Sequence, residues 1–207
     1  MYYVKKLNFE NMKTLIIVDI QNDFLEGGSL AVPNGNDVIP VLNKIQKDFD
    51  LILATQDWHP QNHKSFAAEH PGKYEFEIID LNGLQQVLWP VHCVQGSFGA
   101  EFHKDLKMNS VEAIFRKGMD REIDSYSGFY DNGKRKNTGL FGYLKDRNVS
   151  EVFIAGLAAD FCVYFTANDA LDLGFKTTII EEASKPIDAE NWHKLKDKFR
   201  EKGGNII

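Results

Sequence analysis

The sequence holds only two cysteines in 207 residues, Cys93 and Cys162, far apart along the chain. That scarcity excludes a disulfide framework and suits thiols kept reduced in a reducing compartment. Long apolar runs are also missing, since the first of them, Leu15 to Ile20, is broken by Asp19, so nothing approaches membrane-spanning length. Positive charge is outnumbered, 24 Lys and Arg against 30 Asp and Glu for a net charge of −6, which excludes a broad nucleic-acid or anionic-membrane surface. The first residues, Met1 to Asn11, lack the apolar core of a signal peptide. Internal repeats and low-complexity tracts are absent too. Together these absences point to a cytoplasmic protein with no nucleic-acid or membrane partner, and they leave a homo-oligomer open.

What is present is ordinary globular composition, 43% hydrophobic and 26% charged, enough for one domain with a sizeable core. Residues 1–11 are polar and aperiodic and read as an N-terminal extension, with residues 12–207 as a single domain. Thr14 to Ile20 is a continuous β-rich run ending in the acid Asp19, as in buried parallel strands. A glycine-containing loop follows, then an amphipathic helix over about 37–49, with Val38, Ile39, Leu42, Ile45 and Phe49 on one face. Leu51 to Thr55 is a second strand, running into Gln56, Asp57, Trp58 and His59. Residues 63–99, rich in His, Pro, Gly and aromatics, read as a long functional excursion. A third strand over 111–118 ends at Lys117. A short helix over 138–147, a strand over 152–155, a helix from about 160 to 173, a strand over 176–180 and a final helix over 189–200 complete the chain. Strands alternating with helices predict an open, mostly parallel sheet with helices on both faces, a Rossmann-like three-layer α/β/α fold. In such sheets ligands bind off the carboxyl ends of the strands.

The turn from Gly156 to Cys162 carries the strongest chemical signal. A buried strand ends at Gly156, small residues make the turn, and Asp160 suits the N-cap of a helix that Gly174 stops. Cys162 then falls in the first helical turn, where free N–H groups and the helix dipole favour a thiolate and can receive an oxyanion. The plainer alternative is a small apolar residue packed beneath a helix. Asp19, Asp57, Lys117 and Cys162 each follow a different strand, so one sheet edge would gather them. A carboxylate to take the thiol proton and an ammonium to balance both charges make a nucleophilic site. A strand-end Asp or Lys taken singly is more often a solvated turn residue.

Asp57 and His59 alternate across Trp58, so in extended chain both side chains face one side and can share an ion. His92 could complete a facial set, and His63, His70 and His103 are formal alternatives. Two imidazoles, one carboxylate and open positions suit Zn²⁺, Fe²⁺ or Mn²⁺. Cys93 lies in a loop with no helix start beside it, and reads as packing.

Several stretches taken together resemble a known family: Ile17 to Phe24 (IVDIQNDF), Gly27 to Leu30 (GGSL), Thr55 to Pro60 (TQDWHP), Asn62 to Phe66 (NHKSF), Trp89 to Cys93 (WPVHC), Arg116 to Gly118 (RKG), Ser125 to Phe129 (SYSGF) and Gly156 to Cys162 (GLAADFC). In order from Met12 to about Ser184, they are similar to the motifs of nicotinamidases, cysteine hydrolases of the isochorismatase-like superfamily. The resemblance implies an Asp19, Lys117 and Cys162 triad, and one divalent metal, zinc foremost with iron or manganese as alternatives, on Asp57, His59 and His92. It implies an oxyanion hole from Ala158 and Cys162 shaped by a cis peptide at Leu157-Ala158, and a pyridine slot walled by Phe24 and Trp89 with Tyr126 nearby. The implied reaction is hydrolysis of nicotinamide to nicotinate and ammonia in NAD salvage, with pyrazinamide also a substrate. Some relatives carry a fourth ligand, His or Glu, near position 65, where this chain has Ser65 with His63 close by. A related hydrolase of another small amide, and a silent fold serving as a scaffold, are the alternatives.

Overall fold

A computed structural model describes residues 12–207. The reading of residues 1–11 as an extension lies outside the described residues. The sheet begins at β1 (Lys13–Val18), whose five residues after Lys13 are all buried. It is flanked by β2 (Leu51–Asp57), buried throughout, and by the strand from Glu151 to Leu157. A hairpin of β3 (Ile78–Leu81) and β4 (Leu84–Val87) stands apart within the 63–99 excursion. β5 (Ala113–Lys117), β6 (Glu151–Leu157), β7 (Lys176–Lys185) and the two-residue β8 (Asn205–Ile206) complete a six-stranded sheet in the order β5-β2-β1-β6-β7-β8, parallel at every pairing.

Strand periodicity divides β1 between two cores, because successive side chains point to opposite faces. Leu15 and Ile17 pack with Val38, Ile39 and Leu42 of α1 (Val38–Ile45) on one face. Ile16 and Val18 face the other side with Leu140 and Leu144 of α2 (Leu140–Asp146), Ala167 and Ala170 of α3 (Tyr164–Asp172), and Trp192 and Phe199 of α4 (Ala189–Glu201). This is the three-layer arrangement the alternation of strands and helices predicts. α1 is shorter than its apolar pattern, with 3-10 turns at 35–37 and 46–48 on either side, and Phe49 has already left helical geometry. Pro40 is accommodated because it sits in the first turn, where an N–H has no intrahelical acceptor.

The strands expected over 51–55, 111–118 and 152–155 are found at Leu51–Asp57, Ala113–Lys117 and Glu151–Leu157, and the last two strands depart further. β7 runs to Lys185, past a register irregularity opposite β6 between Ile154 and Gly156, and this brings Ser184 beside Gly156 and Lys185 beside Leu157. β8 is too short to leave a periodic signal. Among the described residues no helix is long and apolar enough to cross a membrane.

Candidate active site

The sheet order gathers the chemistry. Lys117 ends β5, Asp57 ends β2, Asp19 follows β1 and Cys162 follows β6, so the four residues come from four contiguous strands, on both sides of the point where the chain reverses its direction of sheet building. Asp19 leaves the ladder with φ +50°, a left-handed conformation that aspartate tolerates better than most residues. Its side chain is fully buried.

Lys117 Nζ is the hub. It lies 2.9 Å from Asp19 Oδ2 and 3.1 Å from Asp57 Oδ1, and it donates to the Ser125 carbonyl at 3.0 Å and to Cys162 Sγ at 3.4 Å. Thr55 Oγ1 donates to Asp19 Oδ1 at 2.6 Å, while Oδ2, though close to the ammonium, has no aligned hydrogen-bond donor among the described residues. Burial alone would discharge Lys117, but Asp19 and Asp57 overcome it and hold its pKa well above the ordinary value. Burial raises the Asp19 carboxyl against the opposing pull of Lys117.

Cys162 departs from its expected electrostatics. Burial pushes its thiol pKa well up, and Lys117 only partly offsets this. A thiol raised in this way needs a base beside it to form a thiolate, and Asp19 shares the Lys117 ammonium with the sulfur. The local geometry differs as well. Residues Ala159–Val163 form a π turn ahead of α3, and Ala158, not Asp160, occupies the N-cap position. The Asp160 carboxylate instead accepts from the N–H groups of Ile187 and Asp188, both at 2.9 Å, and ties the turn to the start of α4. The Leu157-Ala158 peptide is cis.

Asp57 faces two ways, with Oδ1 toward Lys117 and Oδ2 toward the histidines. Oδ2 lies 3.2 Å from His59 Nε2 and 3.7 Å from His92 Nε2. Each ring is set by its other nitrogen, His59 Nδ1 with Gly118 O at 2.9 Å and His92 Nδ1 with Pro90 O at 2.8 Å. Nδ1–H donation to these carbonyls leaves a lone pair on each Nε2 turned toward Asp57, the tautomer a metal ligand requires. His59 Nε2 is buried without a hydrogen-bond partner among the described residues. Burial would lower its pKa and would raise that of Asp57, yet each reverses the other's shift, so His59 is raised and Asp57 held well below its usual value. Carboxylate and imidazole face each other at 3.2 Å, a pair of donor types that suits a cation. The donor atoms of Asp57, His59 and His92 lie within 4.8 Å of one another, and the residues fit a divalent ion. Gly118, at φ +66°, gives the ring its room, since a Cβ there would fall 2.4 Å from His59 Cε1.

His63 joins a second group with His59 and Asp124; its Nδ1 accepts from the Ser65 N–H at 3.1 Å and contacts Ser65 Oγ at 2.7 Å, and its Nε2, like that of His59, is buried without a hydrogen-bond partner among the described residues. His70 contacts Lys64 O and His103 lies by Asp105, away from the cluster. Cys93 is fully buried, and its thiol is pushed well up by burial and then by Asp57, Asp23 and Asp19. That burial is consistent with packing.

Above this floor is a cleft lined by Phe24, Trp89, Tyr126, Ala158, Cys162, Asp57 and His92, all anticipated from sequence. Leu30, Asp124, Phe161 and Ile187 also line it and were not anticipated. Trp89 meets Phe161 edge-on at 4.8 Å between ring centroids, and its Nε1 donates to Tyr126 Oη at 3.3 Å. Phe161 had a usable signal, adjacency to Cys162. Ile187 is far from every motif and reaches the pocket only through Asp160.

Fold and site define a three-layer α/β protein with a small aromatic ligand cleft at the carboxyl ends of its strands. The isochorismatase domain model matches residues 13–207, and the chain belongs to that family. It is 49% identical over 178 residues to a nicotinamidase of Acinetobacter baylyi, an alignment covering 86% of this chain and 83% of that one. The structure of an Acinetobacter baumanii nicotinamidase and pyrazinamidase superposes with a TM-score of 0.93 at 46% identity, covering 96% of each chain. A zinc complex of the Pyrococcus horikoshii pyrazinamidase superposes at 0.78 with 36% identity, covering 95% of this chain and 98% of that one.

Proposed function

We propose that this protein is a metal-dependent cysteine amidohydrolase that converts nicotinamide to nicotinate and ammonia in cytoplasmic NAD salvage, and that also hydrolyses pyrazinamide. The observation that carries this reading is the meeting of Asp19, Lys117 and Cys162 with Asp57, His59 and His92 beneath one aromatic pocket. The activities named for its relatives supply the substrate class.

The ring lies between Phe24 and Trp89 with its carboxamide over Cys162. A divalent ion on Asp57, His59 and His92 supplies, when bound, a Lewis acid that can fix a ring nitrogen. Asp19 takes the Cys162 proton on Oδ2, the oxygen beside Lys117, which its raised pKa favours. The proton moves from sulfur to oxygen beside Lys117, so the charge around the ammonium is conserved and no uncompensated anion is buried. Sγ bonds to the carboxamide carbon, and the N–H groups of Ala158 and Cys162 receive the oxyanion. Asp19 then passes its proton to the departing nitrogen, the C–N bond breaks, and ammonia leaves a thioester. Asp19 next deprotonates water, which attacks the thioester. The C–S bond breaks, the proton returns to sulfur, and the product acid departs as nicotinate, giving its remaining proton to ammonia or solvent.

Ammonia release tests the reading directly: rapid from nicotinamide and from pyrazinamide. Release only from some other small amide would replace the substrate, and none from any amide would leave a binding protein. His59→Ala and His92→Ala should each weaken metal binding by about 100-fold or more, because three protein ligands become two. Full metal content in both variants after dialysis, by elemental analysis, would move the ligand set elsewhere.

A further inference from the structure

The ladder between β1 and β2 ends before the site does. Its last register pair is Val18 with Thr55, after which Asp19 turns into the left-handed region and the Gln21 N–H folds back onto Asp19 O at 2.9 Å. The β1 backbone has thus left the sheet two residues short of Asp57. In a parallel sheet the N–H and C=O of one residue reach toward the same neighbouring strand, and those of Asp57 would be orphaned on the β1 side, which a buried strand end can ill accommodate. The Gln21 side chain occupies that place. Its Oε1 accepts from the Asp57 N–H at 2.8 Å, its Nε2 donates to the Asp57 carbonyl at 2.8 Å, and Nε2 also donates to Ala100 O at 2.9 Å. The residue is fully buried. Its carboxamide bonds to Asp57 as a strand peptide would and extends the ladder by a side chain.

We infer that Gln21 is a positioning residue for Asp57, setting the height of that carboxylate relative to Asp19 and thereby joining the metal ligands to the nucleophilic triad. Gln21 lies two residues after Asp19, and Asp57 touches Lys117 with one oxygen and His59 with the other, at 3.1 and 3.2 Å. A rotation or slip of the Asp57 backbone would misplace both contacts at once. The inference rests on the reading of Asp57 as a ligand and Lys117 partner. It assigns to Gln21 a role that acts through Asp57, without contact to substrate.

The test is the zinc dissociation constant of the full-length protein, measured by competition with a chromogenic chelator, for wild type, Gln21→Met and Gln56→Met. Gln56 is the control because it too donates to Ala100 O at 2.9 Å from a buried position, with no bond to Asp57. Gln21→Met should bind zinc 10- to 100-fold more weakly, the range seen when groups that orient a ligand are lost, and kcat for nicotinamide should fall with it. Gln56→Met should bind zinc as wild type does. Should Gln21→Met not fold, Gln21→Glu keeps the acceptor for the Asp57 N–H, removes both donors, and should shift the constant the same way. Zinc affinity in the Gln21 variants within threefold of wild type, or an equal loss in Gln56→Met, overturns the positioning role. A wild type that releases ammonia from nicotinamide but takes up no zinc overturns the ligand reading and the inference with it.

Discussion

Cys162→Ala should bring ammonia release from nicotinamide down to background, a loss on the order of 10³-fold or more, as expected when a covalent nucleophile is deleted. The fold should survive the change. Cys162 is nearly buried but small, and removing one sulfur from a packed site costs about 1 kcal/mol. Lys117 would still have Asp19, Asp57 and the Ser125 carbonyl, so no buried charge is left unpaired. Metal content should match wild type, because the sulfur bonds to Lys117 and to none of the three proposed ligands. Cys93→Ala is the control. Its backbone N–H keeps its 2.7 Å bond to the Asp23 carboxylate whatever the side chain, so activity should persist with a similar small loss of stability. Turnover lost in Cys93→Ala and kept in Cys162→Ala would reverse the assignment of the thiol.

The strands that carry the chemistry were legible because burial on both faces writes itself as unbroken apolar runs, seen in Leu15 to Val18 and Leu51 to Ala54, each followed at once by a polar residue. Helix and strand alternation then placed those polar residues at one edge. Features that depend on tertiary contact were not legible. Asp160 has the chemistry of an N-cap, but Ile187 and Asp188, just ahead of α4, offer its carboxylate two N–H groups, and long-range bonds displaced the local motif. A helix start favours a thiolate at Cys162 through a partial charge, but burial of the sulfur opposes it and raises the thiol, and burial is a tertiary property. Gln21 stands in the sequence only as one residue of the motif IVDIQNDF. Nothing in a sequence tells a surface glutamine from one whose carboxamide completes a sheet.

Benzamide should be a far poorer substrate than nicotinamide, with kcat/KM lower by several powers of ten. It matches nicotinamide in ring size and in the scissile bond, so Phe24, Trp89 and Cys162 meet both molecules alike. The difference lies at the ring nitrogen. Asp57, His59 and His92 present a buried polar cluster to one side of the cavity, with Asp57 and His92 on its wall and His59 Nε2 unpartnered. A carbon in place of the nitrogen leaves that cluster facing a C–H group, and sites built to engage a polar atom reject the analogue lacking it by roughly 10⁴-fold or more. Pyrazinamide keeps a nitrogen at the same position relative to its carboxamide and should be hydrolysed at a rate near that of nicotinamide. Apolar stacking alone would predict nearly equal values for all three. Comparable kcat/KM for benzamide and nicotinamide would therefore show that the aromatic walls select the substrate, and would confine Asp57 to its contact with Lys117.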